Sequence, residues 1–165
     1  MTDKPTSMDG LPFVRLAAPF DTQRIIEISE IGFSEHGDHY PGAEYPFILH
    51  FIIDQIYKNL VWVVEVDGEI IGVSMLNVRS WPWNPKAQFL QNDHLFVLKE
   101  HRNTGASDLL VEAMKDFAQE QKAHLMLSFT YGTGLEIVNR FMEKHEAKPI
   151  GGNFWFGYSE EPPSE

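Results

Sequence analysis

The chain has 165 residues and no cysteine, which excludes a disulfide framework, a thiolate zinc site and a cysteine nucleophile. A hydrophobic content of 43%, with twelve Phe and four Trp, excludes a disordered chain, and the length suits one compact domain with a substantial core. Thirteen Lys and Arg against twenty-four Asp and Glu, a formal charge of −11, argue against nucleic acid, which needs a basic face; such a surface either draws amines or basic peptides or only keeps the protein soluble.

Residues 1–10 and 159–165 read as flexible ends around a single domain at 11–158, with no internal repeat and no linker. The start of the chain lacks a signal-peptide apolar run and no stretch reaches transmembrane length, so a cytoplasmic protein without membrane contact is expected. Phe13-Val-Arg-Leu-Ala17 alternates as an edge strand does. Pro19-Phe-Asp-Thr22 offers a cap, and Gln23 to about Gly32 carries Ile25, Ile28 and Ile31 at helical spacing. A Gly- and His-containing loop follows from Ser34 to Gly42. Ala43–Asn59 reads as a second helix with Pro46 in its first turn, and its centre, Phe47 to Ile53, is apolar nearly all round and should be largely buried.

Leu60–Val66 is a β-branched, aromatic strand, and Asp67-Gly68 is a hairpin turn that returns the chain as Ile70–Val78. Arg79–Lys86, with Trp-Pro-Trp-Asn-Pro, reads as a loop before Ala87–Val97 resumes strand character. The helix that follows holds Leu109, Leu110, Ala113, Met114 and Phe117 on one face. His124–Thr130 reads as a buried strand, Gly134 to about Glu146 as a helix with Ile137, Val138 and Phe141 inward, and Gly152–Tyr158 as a closing strand. The order β-α-α-β-β-β-α-β-α-β defines an α/β (α+β) domain: a mixed central sheet of about six or seven strands flanked by about four helices.

The stretch richest in chemistry is His94-Leu-Phe-Val-Leu-Lys-Glu-His-Arg-Asn-Thr-Gly-Ala-Ser-Asp-Leu-Leu110, an apolar strand, a polar turn and a helix start. Such a junction leaves backbone N–H groups unpaired at the positive end of a helix dipole, an arrangement that favours a phosphate or pyrophosphate. It has neither the Gly-Lys-Ser/Thr of a P-loop nor Gly-x-Gly-x-x-Gly. Phe96–Leu110 resembles instead the acyl-CoA motif of the GNAT superfamily of N-acetyltransferases, Arg/Gln-x-x-Gly-x-Gly/Ala before a Leu-Leu helix. Arg102 and Gly105 match, and Ser107 stands where Gly or Ala is usual. The element order is also that of the family, so the resemblance spans nearly the whole chain.

The resemblance implies acetyl-CoA as cosubstrate and direct transfer of its acetyl group to an amine. The backbone of Leu95, Phe96 and Val97 would contact the pantetheine arm, with an N–H near Phe96 holding the thioester oxyanion. Arg102, Asn103, Thr104, Gly105, Ala106, Ser107 and Asp108 would line the pyrophosphate. The acceptor would be a small amine, an amino acid or a protein amine, with the acidic balance leaning toward a cationic one, and two copies would pair as a homodimer through their sheet edges. A binding module that holds acyl-CoA or a protein without turnover is the alternative, because Met142 stands where the family often has a Tyr proton donor. Tyr131 and His145 are the nearest other donors.

For the base, Asp93 and His94 precede the strand segment expected to face the thioester. Neighbours in a strand point to opposite faces, so at most one of them should face the cleft. Glu35, His36, His39 and Tyr40, between the first two helices, and Trp81 are the candidate acceptor contacts; Trp81 and Trp83 also suit packing on the sheet edge. His36-x-x-His39 lacks a helix and a third ligand at defined spacing, so no metal is expected.

Overall fold

The structure is a computed structural model that describes residues 10–35, 44–129 and 134–149. Five strands lie in one sheet in sequence order: β1 (Phe13–Leu16), β2 (Val61–Val66), β3 (Glu69–Trp81), β4 (Asn84–Val97) and β5 (His124–Met126). The first four pair antiparallel and β5 joins β4 in parallel. Four α-helices complete the domain: α1 (Thr22–Glu35), α2 (Tyr45–Tyr57), α3 (Ala106–Glu120) and α4 (Leu135–Lys144). The mixed α/β class and the element order are as the sequence implies as far as α4. Five strands are described rather than six or seven, and the closing strand expected at Gly152–Tyr158 lies outside the described residues, as do both termini.

The sheet carries a core on each face. Ile25, Ile28, Ile52 and Ile56 of α1 and α2 pack on Val63, Val73, Met75 and Phe96. On the other face Leu110, Val111, Met114 and Ala118 of α3 cover Trp62, Val64, Leu76, Leu90 and Val97. The Asp67-Gly68 turn has φ of 49° and 86°, the left-handed pair that a two-residue hairpin demands.

Four local expectations are corrected. The loop expected at Arg79–Lys86 is strand except at Pro82 and Trp83, because cross-strand aromatics hold the hairpin to its tip: Trp81 lies 4.7 Å from Phe89 and 5.3 Å from Trp83. In α2 only Ile52, Gln55 and Ile56 are fully buried and Phe47 is 73% exposed, since the sheet covers a single face of that helix. In α4, Ile137 is 60% exposed, and the face bearing Phe141 and Met142 turns toward α3. The buried strand expected at His124–Thr130 pairs over only three residues.

A charged cluster ties β1 to β2. The Arg15 guanidinium donates Nε to Glu65 Oε2 at 2.9 Å, and two further N–H groups to the Asp21 carboxylate at 2.7 and 3.0 Å. Asp21 also accepts from the Ala18 N–H at 2.8 Å, fixing the 3₁₀ turn Pro19–Asp21 that leads into α1. The two carboxylates are buried, and the hydrogen bonds to them, that to Asp21 first, hold the guanidinium in its charged form.

Candidate active site

β4 is the strand on which the site is built. Against β3 its register jumps between Met75 and Leu76, which face His94 and Asn92, so Asp93 is an extra residue in a β-bulge. Three successive polar residues, Gln91-Asn-Asp93, break the apolar pattern there, the sequence signal that marks the bulge. The Leu98 N–H bonds Ile71 O at 2.9 Å, so Leu98 faces β3. Alternation along the strand then turns Phe96 toward β3 and the backbone N–H and C=O groups of Leu95 and Val97 away from it. On that side β5 pairs only with Phe89, Leu90 and Gln91, so among the described residues no strand meets β4 beyond the bulge. Of the three residues expected to contact the pantetheine arm, Leu95 and Val97 are the ones whose backbone faces this open edge.

Beyond the edge, the 3₁₀ turn Lys99–His101 and residues 102–105 lead into α3. Gly105 is the N-cap, with φ 84° and ψ 1°, and no side chain caps the helix. The first bond inside α3 is Leu109 N–H to Gly105 O, leaving the N–H groups of Ala106, Ser107 and Asp108 without helical acceptors. A Cβ built on Gly105 would meet nothing within 4 Å, so the space before the turn is open. Arg102 points back along β4. Its Nε donates to Val97 O at 3.0 Å, its guanidinium stacks 5.2 Å from the Phe96 ring centre, and it pairs with Glu35 at the end of α1.

The bulge overturns the expectation that Asp93 and His94 face opposite ways. Asp93 accepts from Asn77 at 3.0 Å and from Arg79 at 2.8 Å, residues on the same face of β3 as Val73 and Met75. His94 lies on that face too, with its ring 5.6 Å from Phe33 and 6.2 Å from Phe96. Gly32 makes room for it: a Cβ there would sit 3.1 Å from Phe96 and 3.4 Å from the His94 ring. Trp81 and Phe89 continue this face toward the hairpin tip. His36, His39, Tyr40 and Tyr131 lie outside the described residues, and no group of three or more metal-ligating side chains occurs among the described ones.

Two clusters join residues whose pairing has no signal in the sequence. The Asn92 side-chain amide meets the backbone of Ser128, and the Asn77–Asp93–Arg79 group spans two strands. Asp108, expected at the pyrophosphate, gives its carboxylate to α4: Lys144 donates at 2.7 Å and the His145 Nε2 lies at 2.9 Å. The other His145 ring nitrogen lies 2.7 Å from Glu112, so its ring is held against α3. Met142 packs among the same apolar residues of α3.

Partial burial pushes the Asp108 carboxyl up, but the Lys144 and His145 hydrogen bonds outweigh it and hold the group below its usual range. Bonds from Lys115 and then His145 do the same for Glu112. A carboxyl depressed in the folded state stabilises it above the ordinary carboxylate range and loses that contribution as the pH falls through its folded value. The wild type is therefore expected to exceed Asp108→Asn by about 0.5–1 kcal/mol at neutral pH, a gap that closes in acid, as urea unfolding across pH will show. A gap independent of pH would contradict this.

The acetyltransferase (GNAT) family matches residues 23–145, and the chain belongs to that family. Among solved structures it is similar to a predicted acetyltransferase from Clostridium acetobutylicum, solved with acetyl-CoA (TM-score 0.70, 14% identity, covering 90% of this chain and 96% of that one). It is also similar to the ribosomal-protein-alanine N-acetyltransferase of Brucella melitensis biovar Abortus 2308 (0.62, 15%, 90% and 99%). A third is an aminoglycoside acetyltransferase from an uncultured soil metagenomic sample, in complex with sisomicin (0.64, 14%, 90% and 97%). At these identities the likeness is one of fold. No curated protein sequence matches the chain.

Proposed function

We propose that the protein is an acetyl-CoA-dependent N-acetyltransferase that transfers the acetyl group directly to an amine. The observation that carries this reading is the open edge of β4, where the Leu95 and Val97 backbones meet no strand among the described residues and run into the start of α3, which no side chain caps. A pantetheine arm has amide groups that pair with such an edge as an added strand would, and a pyrophosphate suits the N–H groups of Ala106, Ser107 and Asp108. Acetyl-CoA supplies an acetyl group activated as a thioester. An N–H from Leu95 or Val97 aimed at the thioester carbonyl would stabilise the negative charge that develops there. Val97 O is already taken by Arg102, which stiffens the end of the strand.

His94 is better placed than Asp93 to accept the amine's proton, since both Asp93 oxygens already receive hydrogen bonds from Asn77 and Arg79. The acceptor enters on the α1–α2 face, beside His94 and the Trp81–Phe89 wall. A cationic amine matches the net charge of −11, and an aminoglycoside acetyltransferase shares this fold. The packing of Met142 against α3, where the family often has a tyrosine donor, favours a second reading: an acyl-CoA-binding module without turnover. Thiol release separates the two. Acetyl-CoA is expected to raise the melting temperature, and free CoA thiol is expected with at least one amine of a broad panel. Stabilisation without thiol would leave the binding module, and no stabilisation would remove both.

A further inference from the structure

We infer that Asn92 is a positioning residue whose side-chain amide ends the β4–β5 ladder and holds the two strands apart, opening the slot beside Leu95 and Val97. The inference rests on the reading of that edge as the pantetheine site. The parallel ladder runs Phe89–His124, Leu90–Leu125 and Gln91–Met126. Continued in register, it would set Ser128 opposite Asp93. Instead the Ser128 N–H donates to Asn92 Oδ1 at 2.6 Å, and Asn92 Nδ2 donates to Ser128 O at 3.1 Å. One side chain thus takes both backbone groups that a further rung would have used. Gln91 Nε2 adds a tether to the Ser128 hydroxyl at 3.1 Å.

The choice of residue follows from this geometry. An amide presents a donor and an acceptor in one plane, as a peptide group does; a carboxylate presents two acceptors and an aliphatic side chain presents neither. Asn92 is buried, 7% exposed, so removing its amide would take both hydrogen bonds from the Ser128 backbone. A side chain set between two backbones also needs more width than the roughly 4.8 Å of a backbone ladder. The strands therefore diverge from this point, and the bulge at Asp93 follows at once. An open strand edge otherwise invites pairing, and here the nearest partner, β5, has its next rung already satisfied.

The two halves of the cofactor test this separately. Acetyl-pantetheine probes the slot, and adenosine 3′,5′-bisphosphate probes the turn and α3. In ligand-observed NMR titrations Asn92→Leu and Asn92→Asp are expected to weaken acetyl-pantetheine about tenfold or more, the scale of one or two lost hydrogen bonds, while the nucleotide changes less than about twofold. Asn92→Ser, too short to reach Ser128, replaces Asn92→Leu should that chain show no cooperative unfolding. Equal weakening of both halves would show a merely structural role and overturn the inference, as would acetyl-pantetheine binding at wild-type strength. If the wild type binds neither half, the reading of the edge as a cofactor site falls, and the inference with it.

Discussion

Gly105→Val is expected to abolish the thermal stabilisation that acetyl-CoA confers on the wild type. Gly105 sits at φ 84° as the N-cap of α3, where L-residues other than Asn or Asp are strained. Space is not the obstacle, since a Cβ there meets nothing within 4 Å. Conformation alone therefore decides the outcome, and a series should follow φ preference rather than side-chain size. Asn, which tolerates the left-handed region, should keep most of the shift, while Ala should cost about 1–2 kcal/mol of folding stability. Val, β-branched, should rotate residues 102–105 out of the turn and scatter the N–H groups of Ala106, Ser107 and Asp108. Thermal-shift titration with acetyl-CoA, beside unfolding without ligand, measures both quantities. A folded Val variant with the wild-type shift would show that the cofactor binds elsewhere.

Arg15→Leu is expected to be strongly destabilising, costing about 3–5 kcal/mol. Its side chain alone joins two buried carboxylates, Asp21 at 4% and Glu65 at 2% side-chain exposure. Removing the cation of a buried ionic group leaves its carboxylates charged without the compensating guanidinium, and that penalty exceeds what the ion pairs contributed. Arg15→Lys should recover part of the loss, because an ammonium keeps the charge but not the fork that reaches both acids at once. Urea unfolding at neutral pH gives the difference directly. A cost below about 1 kcal/mol would mean that the acids are satisfied without Arg15.

Much of this protein is legible in the chain itself. The Asp67-Gly68 turn, the apolar face of α3, that of α1 apart from Ile31, which stands 39% exposed, and the strand–turn–helix at 94–110 rest on local spacing and backbone preference, which act within a few residues. The glycine at 105 belongs with them, because a left-handed N-cap is a property of one residue's own backbone. So does the acidic balance.

What the tertiary structure decided depends on contacts between distant residues. Whether Asp93 and His94 share a face was settled by register against β3, where one extra residue reverses the alternation that a strand in isolation would keep. Which side of α2 and of α4 is covered was settled by the sheet and by α3, not by the periodicity of either helix, and so Phe47 and Ile137 stand outside. Arg102 bonds Val97 and Glu35 because α1 ends beside β4. Where the β4–β5 ladder stops depends on Asn92 and Ser128, 36 residues apart in the chain. In each case the side chain's chemistry was visible in the sequence, but its partner was not, since partners across a sheet are fixed only when strands pair.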